Sequence, residues 1–157
     1  MKLPELKVKI EKTEPDSGYD DKDYTQNVLV RLREGSLLRI FDPNMVVKKE
    51  MIGKEKKILL TVFLPQIQKI IEQEYSVQSD ISFNDEEKQL PMHFEGRIEE
   101  FNKNRDRFIL DFGVGMMEVD IHPFQVEGFH VGDFVKFFVY RIDLNVLNGN
   151  VSDVLEN

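Results

Sequence analysis

Strict alternation of apolar and polar positions dominates this chain, and it predicts strands. Leu6-Lys7-Val8-Lys9-Ile10 alternates as a half-exposed strand does, and its outward lysines suit a sheet edge. Val28, Val30 and Leu32 alternate with Leu29, Arg31 and Arg33 until Glu34-Gly35-Ser36 interrupts. Leu37 to Phe41 resumes the pattern, and Asp42-Pro43-Asn44 turns the chain. Lys57 to Leu64 is almost wholly apolar, which predicts a strand buried on both faces. Phe94, Gly96 and Ile98 then alternate with Glu95, Arg97 and Glu99. A turn at Asn102–Asp106 leads to Phe108, Leu110 and Phe112 on one face of the next strand. After Gly113-Val114-Gly115, Met117, Val119 and Ile121 alternate with Glu118 and Asp120. Phe134 to Leu144 reads as one long strand, introduced by Val131-Gly132-Asp133.

Two stretches break this rhythm. Pro65 opens the single segment with helical spacing, through Ile67, Ile70, Ile71 and Tyr75, so a short helix is expected over about 65–75. Thr13 to Gln26 is poor in apolar residues and holds Pro15, Gly18 and four aspartates, the composition of a loop or flexible acidic linker. Ser79 to Pro91 reads as a connection. The expected organisation is an N-terminal strand with its linker over 1–25, a β-rich segment over 26–90 and a barrel segment over 91–157, the last two forming one domain or two. Short strands separated by Gly and Asn turns favour a barrel or sandwich, so the expected class is mostly β and antiparallel.

His93 to Leu147, or roughly 92–147, resembles a small OB-type barrel of the class shared with S1-like domains. The residues carrying the resemblance are the strand with Gly96, the hairpin through Asn102–Asp106, and Val131-Gly132-Asp133-Phe134-Val135 opening the closing strand. In such barrels Gly permits the tight bend and Asp can cap it. The resemblance implies a binding module and assigns no role to any individual residue.

Charge sharpens the picture. The 157 residues carry a formal net charge of -8, which disfavours a surface that tracks phosphates everywhere. By segment the balance is -2 over 1–25, +3 over 26–75 and -9 over 76–157. A basic middle therefore survives, with Lys48, Lys49, Lys54, Lys56 and Lys57 around Gly53 and with Arg31, Arg33 and Arg39 on nearby strands. If these converge they form a phosphate-tracking stripe. The preferred reading is a solvated hairpin tip balanced by Glu50 and Glu55.

Chemistry is scarcer. No cysteine is present, which removes disulfides, thiolate metal sites and cysteine nucleophiles. His122 and Asp120 share one strand face, but His93 and His130 lie at no recognisable metal spacing, so no metal and no cofactor are expected. Asp111-Phe112-Gly113 matches a kinase triplet without its phosphate loop, and Gly35-Ser36 lacks the second glycine of a nucleophile elbow. Asp16, Asp20, Asp21 and Asp23 miss the spacing and terminal Glu of a calcium loop. The start of the chain shows no secretory apolar stretch and no run long enough to span a bilayer, so Asn150-Val151-Ser152 reads as a chance sequon and the expected setting is cytoplasmic.

Ten of the 12 phenylalanines fall between Phe83 and Phe138. Core packing explains most of them, but a strand apolar on both faces also offers an interface, here Phe134, Phe137, Phe138 and Tyr140. The leading expectation is a non-enzymatic binding module engaging a protein partner or a second copy of itself. Single-stranded nucleic-acid binding through the basic 31–57 region is the alternative, and an enzymatic reading requires Asp120 and His122 to meet other polar groups in a pocket.

Overall fold

In a computed structural model, described here for residues 4–19, 22–84 and 90–147, the alternating segments form eleven strands of one mixed sheet. β1 (Glu5–Tyr19), β2 (Lys22–Arg31) and β3 (Leu37–Asp42) make an antiparallel meander. β4 (Glu55–Phe63) follows a 3-10 turn at Lys49–Met51 and pairs antiparallel with the first residues of β1. β11 (Asp143–Leu147) comes last in sequence yet lies between β3 and β4, parallel to the first and antiparallel to the second. Five strands in the order β1-β2-β3-β11-β4 thus close on themselves.

The closed barrel is therefore built from 5–63 with 143–147, not from 92–147 as the local pattern led us to expect. Spacing along a chain reports strands and turns but not which strands pair, and most of the pairs that close this ring are remote in sequence.

The intervening chain traces a second circuit. β7 (Met92–Asn102), β8 (Arg107–Asp111) and β9 (Met116–Asp120) form another antiparallel meander. β9 runs parallel to the end of β4 at Thr61, Val62 and Phe63. Residues 64–67 then lead to β5 (Gln68–Ile70), which pairs with β10 (Phe134–Val139), and β10 returns to β7. β6 (Ser76–Ser79) borders the opposite side of β7. Hydrogen-bonded ladders and the covalent link from β4 to β5 together complete this circuit.

Three local expectations are corrected. The predicted helix over 65–75 is extended chain carrying β5. Its isoleucines are β-branched and suit a strand, and β10 has edge amides and carbonyls that β5 satisfies. Leu64, at φ 52°, turns the chain sharply just before Pro65. Residues 13–19 and 22–26 of the stretch read as a linker are strand instead, the outer parts of β1 and β2, paired through register shifts despite their low apolar content. Asp20 and Asp21 of the acidic cluster, and the sequon at Asn150, lie outside the described residues. Finally, 134–144 divides into β10 and the start of β11, because each half belongs to a different circuit.

One buried cluster runs through both circuits, from Leu6, Val8 and Ile10 in the barrel to Phe94, Phe108 and Phe112 beyond it. Phe94 meets Phe112 edge-on at 5.2 Å, a favoured aromatic geometry. The turn glycines behave as their chemistry requires. Gly35, Gly113 and Gly132 all adopt positive φ. Asp133 accepts the His130 amide at 2.9 Å, so the Val131-Gly132-Asp133 bend is capped as anticipated.

Buried Asp42 is satisfied by its own loop. Its carboxylate accepts the amides of Val46 and Val47 and the side chain of Gln26 at 2.8 Å. Gly96 is constrained differently, since a Cβ there would strike the backbone of Asp111 and Phe112 on β8. We predict that Gly96→Ala costs about 3 kcal/mol through this backbone clash. Urea midpoints would measure the loss, and a change under about 0.5 kcal/mol, the range of an innocuous surface substitution, would refute the packing argument.

Candidate functional site

The basic residues singled out in the sequence do not form one stripe. Arg31 is half-buried and its Nε donates to Glu11 at 2.9 Å, while Nη1 donates to the Gly35 carbonyl. Arg39 is buried and its Nε donates to Glu14 at 3.0 Å. Arg33 is exposed in the β2–β3 turn. Lys48 and Lys49 belong to the β3–β4 connection, where Lys48 Nζ donates to the Met45 carbonyl. Lys54 and Lys57 are exposed and Lys56 is half-buried. Arg31, Arg39 and Lys57 share the outer face of β3, β2, β1 and β4, where Arg31 and Lys57 flank Lys9 and Lys7 in register and Arg39 lies opposite Leu29, tied to Glu14. Glu11 and Glu55 interrupt that face, and Lys7 pairs with Glu55 at 3.1 Å.

The apolar set splits in two. Phe134 and Phe137 are buried: Phe137 packs inward against Phe94, while Phe134, on the Phe138 side of the strand, is covered by Tyr75. Phe138 and Tyr140 point outward, 48% and 54% exposed, and meet edge-on at 5.9 Å. His93, opposite Phe138 on β7, lies 5.7 Å from it ring to ring. Phe138 and His93 line an open concavity of about 470 Å³, together with Phe94, Phe137, Lys136, Gln68 and Gln78, and Tyr140 lies beside it on Phe138. Alternation along β10 explains the outward face, because Lys136 and Phe138 fall on the same side of the strand.

A larger groove of about 810 Å³ lies against β8 and was missed in the sequence. Phe101, Phe108, Ile109 and Phe129 line it, and Lys103, Arg105 and Arg107 come from the β7–β8 turn and the start of β8. The signal was present: Phe101-Asn102-Lys103-Asn104-Arg105-Asp106-Arg107-Phe108 places three basic residues between two aromatics. Averaging charge over the -9 segment hid it.

Arg107 is committed to the structure. Its Nη1 donates to Glu118 at 3.0 Å and its guanidinium pairs with Asp120, the Nε–Oδ1 distance being 2.8 Å. Glu118 also accepts the Thr61 hydroxyl at 3.1 Å, and Thr61 accepts the Asn145 amide at 3.1 Å. This chain of contacts crosses β8, β9, β4 and β11. Asp120 is thus held by Arg107, while His122 stacks on Phe124 at 5.1 Å, so the two candidate catalytic groups have different partners. Among the described residues no group of three or more His, Asp or Glu converges as metal ligands would, and no helix is long and apolar enough to cross a membrane.

Comparison of the chain with protein-family models, curated proteins and solved structures finds no match.

Burial holds the Asp120 carboxyl above its ordinary value of 3.8, against the opposing pull of Arg107 and with a smaller push from Asp106. A raised carboxyl binds its proton more tightly in the folded state, so ionising it costs stability as pH rises through the folded pKa. Asp120→Asn removes that titration. Lowering pH from neutral toward 3.8 should therefore favour wild type relative to the variant in paired denaturation curves. A difference that stays constant or moves the other way would contradict the assignment.

Proposed function

We propose that the chain is a non-enzymatic, cytoplasmic binding module built on an OB-type barrel, and that it engages a protein partner through the outward aromatic face of β10. The threading of the closed ring supports the barrel type. A three-strand meander, a fourth strand closing onto the first, and a fifth lying parallel beside the third are what an OB-type barrel would require. The observation that carries the function is the pairing of exposed Phe138 and Tyr140, with Phe138 and His93 lining the adjoining concavity.

Large rings left in water on a rigid strand are the type of group that anchors an interface when a partner dries them. Lys136 faces Glu95 across the ladder, so this face lacks the cation excess a phosphate backbone needs. The basic 31–57 region gives the nucleic-acid alternative little support, because Arg31 and Arg39 are tied to glutamates and the lysines are dispersed. A second copy of the chain is one form of protein partner.

The paired substitution Phe138→Ala with Tyr140→Ala tests this reading. Both side chains are half-exposed, so folding should be preserved while partner affinity falls by at least about 2 kcal/mol, as hot-spot truncation does. Light scattering across a concentration series would detect self-association, and affinity capture followed by titration of the recovered partner would detect a heterologous one. The reading fails if no association occurs, or if the variant retains wild-type affinity.

A further inference from the structure

The β8 groove calls for a different ligand from the β10 face. Lys103 and Arg105 are exposed on a 3-10 turn at its mouth and meet no carboxylate among the described residues. Asp106, left-handed at φ 53°, ends that turn and fixes where the two cations project. Arg107 beside them is neutralised by Glu118 and Asp120, which also spends the charge of Glu118 within the groove. Glu100 also lines the groove, set against Lys103 and Arg105. Lys103 and Arg105 are thus two exposed cations at the groove mouth, within an acidic third of the sequence.

Its walls are flat and apolar. Phe101 is half-buried and tilts against Phe108 at 6.0 Å, leaving part of its ring on the surface. His130 has 65% of its side chain exposed, and Val131 beside it is 55% exposed. Cations that can reach phosphates next to planar groups that can stack on bases are the two elements of sequence-tolerant single-strand recognition. A groove of about 810 Å³ suits a few nucleotides and is too small to enclose a duplex.

We propose that this groove binds single-stranded nucleic acid, with phosphates on Lys103 and Arg105 and a base against Phe101 and His130. An acidic peptide would satisfy the cations but leave the planar groups without a matching π face. The site is separate from the β10 face, and each stands or falls alone.

The test is fluorescence anisotropy of the full chain with labelled oligo-dT and oligo-U of about 12 nucleotides, longer than the few the groove accommodates. Binding is expected at about 50 mM salt, weakening roughly sevenfold by about 200 mM if two phosphates are contacted. Lys103→Glu with Arg105→Glu should reduce affinity at least about tenfold and flatten the salt dependence. The milder Lys103→Gln with Arg105→Gln should do the same in smaller measure, which separates lost contacts from misfolding. Phe101→Leu should weaken binding several-fold while leaving the salt slope intact, because it removes stacking and no charge. Lys48→Glu with Lys49→Glu, and Phe138→Ala with Tyr140→Ala, should leave oligonucleotide binding unchanged.

Absence of an anisotropy change at low salt overturns the proposal. So does loss on reversing Lys48 and Lys49 with none on reversing Lys103 and Arg105. Displacement of the oligonucleotide by an equimolar acidic peptide would assign the groove to that class instead.

Discussion

Everything in this molecule depends on β4 serving two ladders on the same side. Its first residues pair with β1 and close the barrel, and its last three pair with β9 and begin the second circuit. β11 occupies its other edge over Ile58 to Thr61. With both edges hydrogen-bonded, the strand has no water-facing backbone at its centre, which is why Ile58 to Val62 must be buried. At Thr61, a hydroxyl in this apolar stretch, the side chain links Glu118 to Asn145 and so joins the two circuits. A buried hydroxyl without those partners would be a liability, and with them it fixes register.

The same sharing decides which charges are available at the surface. Arginines near the junctions are spent on carboxylates: Arg107 on Glu118 and Asp120, Arg141 on Asp143 while it stacks over Phe41 at 4.1 Å. Arg39 is likewise consumed within the barrel wall by Glu14. Lys103 and Arg105 escape because they sit on a turn outside the ladders. Net charge is therefore a poor guide to this protein's surface, and position relative to the strand junctions is a better one.

Much of the fold was legible because period-two alternation is a local property. The strands around Val28 to Leu32, Phe94 to Ile98 and Met117 to Ile121 follow from it, as do the turns at Gly35, Gly113 and Gly132. Pairing is not local. Nothing in Asp143–Leu147 announces that it lies between β3 and β4, and nothing in Val62 announces a parallel neighbour at Val119. Ile67, Ile70 and Ile71 satisfy helical spacing and β propensity at once, and the free edge of β10 decided between them. At the candidate sites, alternation correctly sent Phe138 and Tyr140 to one face, but it could not show that Phe134 on that same face would be covered by Tyr75. The cations of the β8 groove were visible as a short run, yet a segment-wide charge balance concealed them.

The late position of β11 has a consequence for how the molecule assembles. The barrel is left with a gap between β3 and β4 until a strand roughly eighty residues downstream of β4 arrives to fill it. A loop of that length joining adjacent strands carries an entropic cost to closure. Closing the barrel through a strand this remote in sequence is non-local pairing, which favours slow folding.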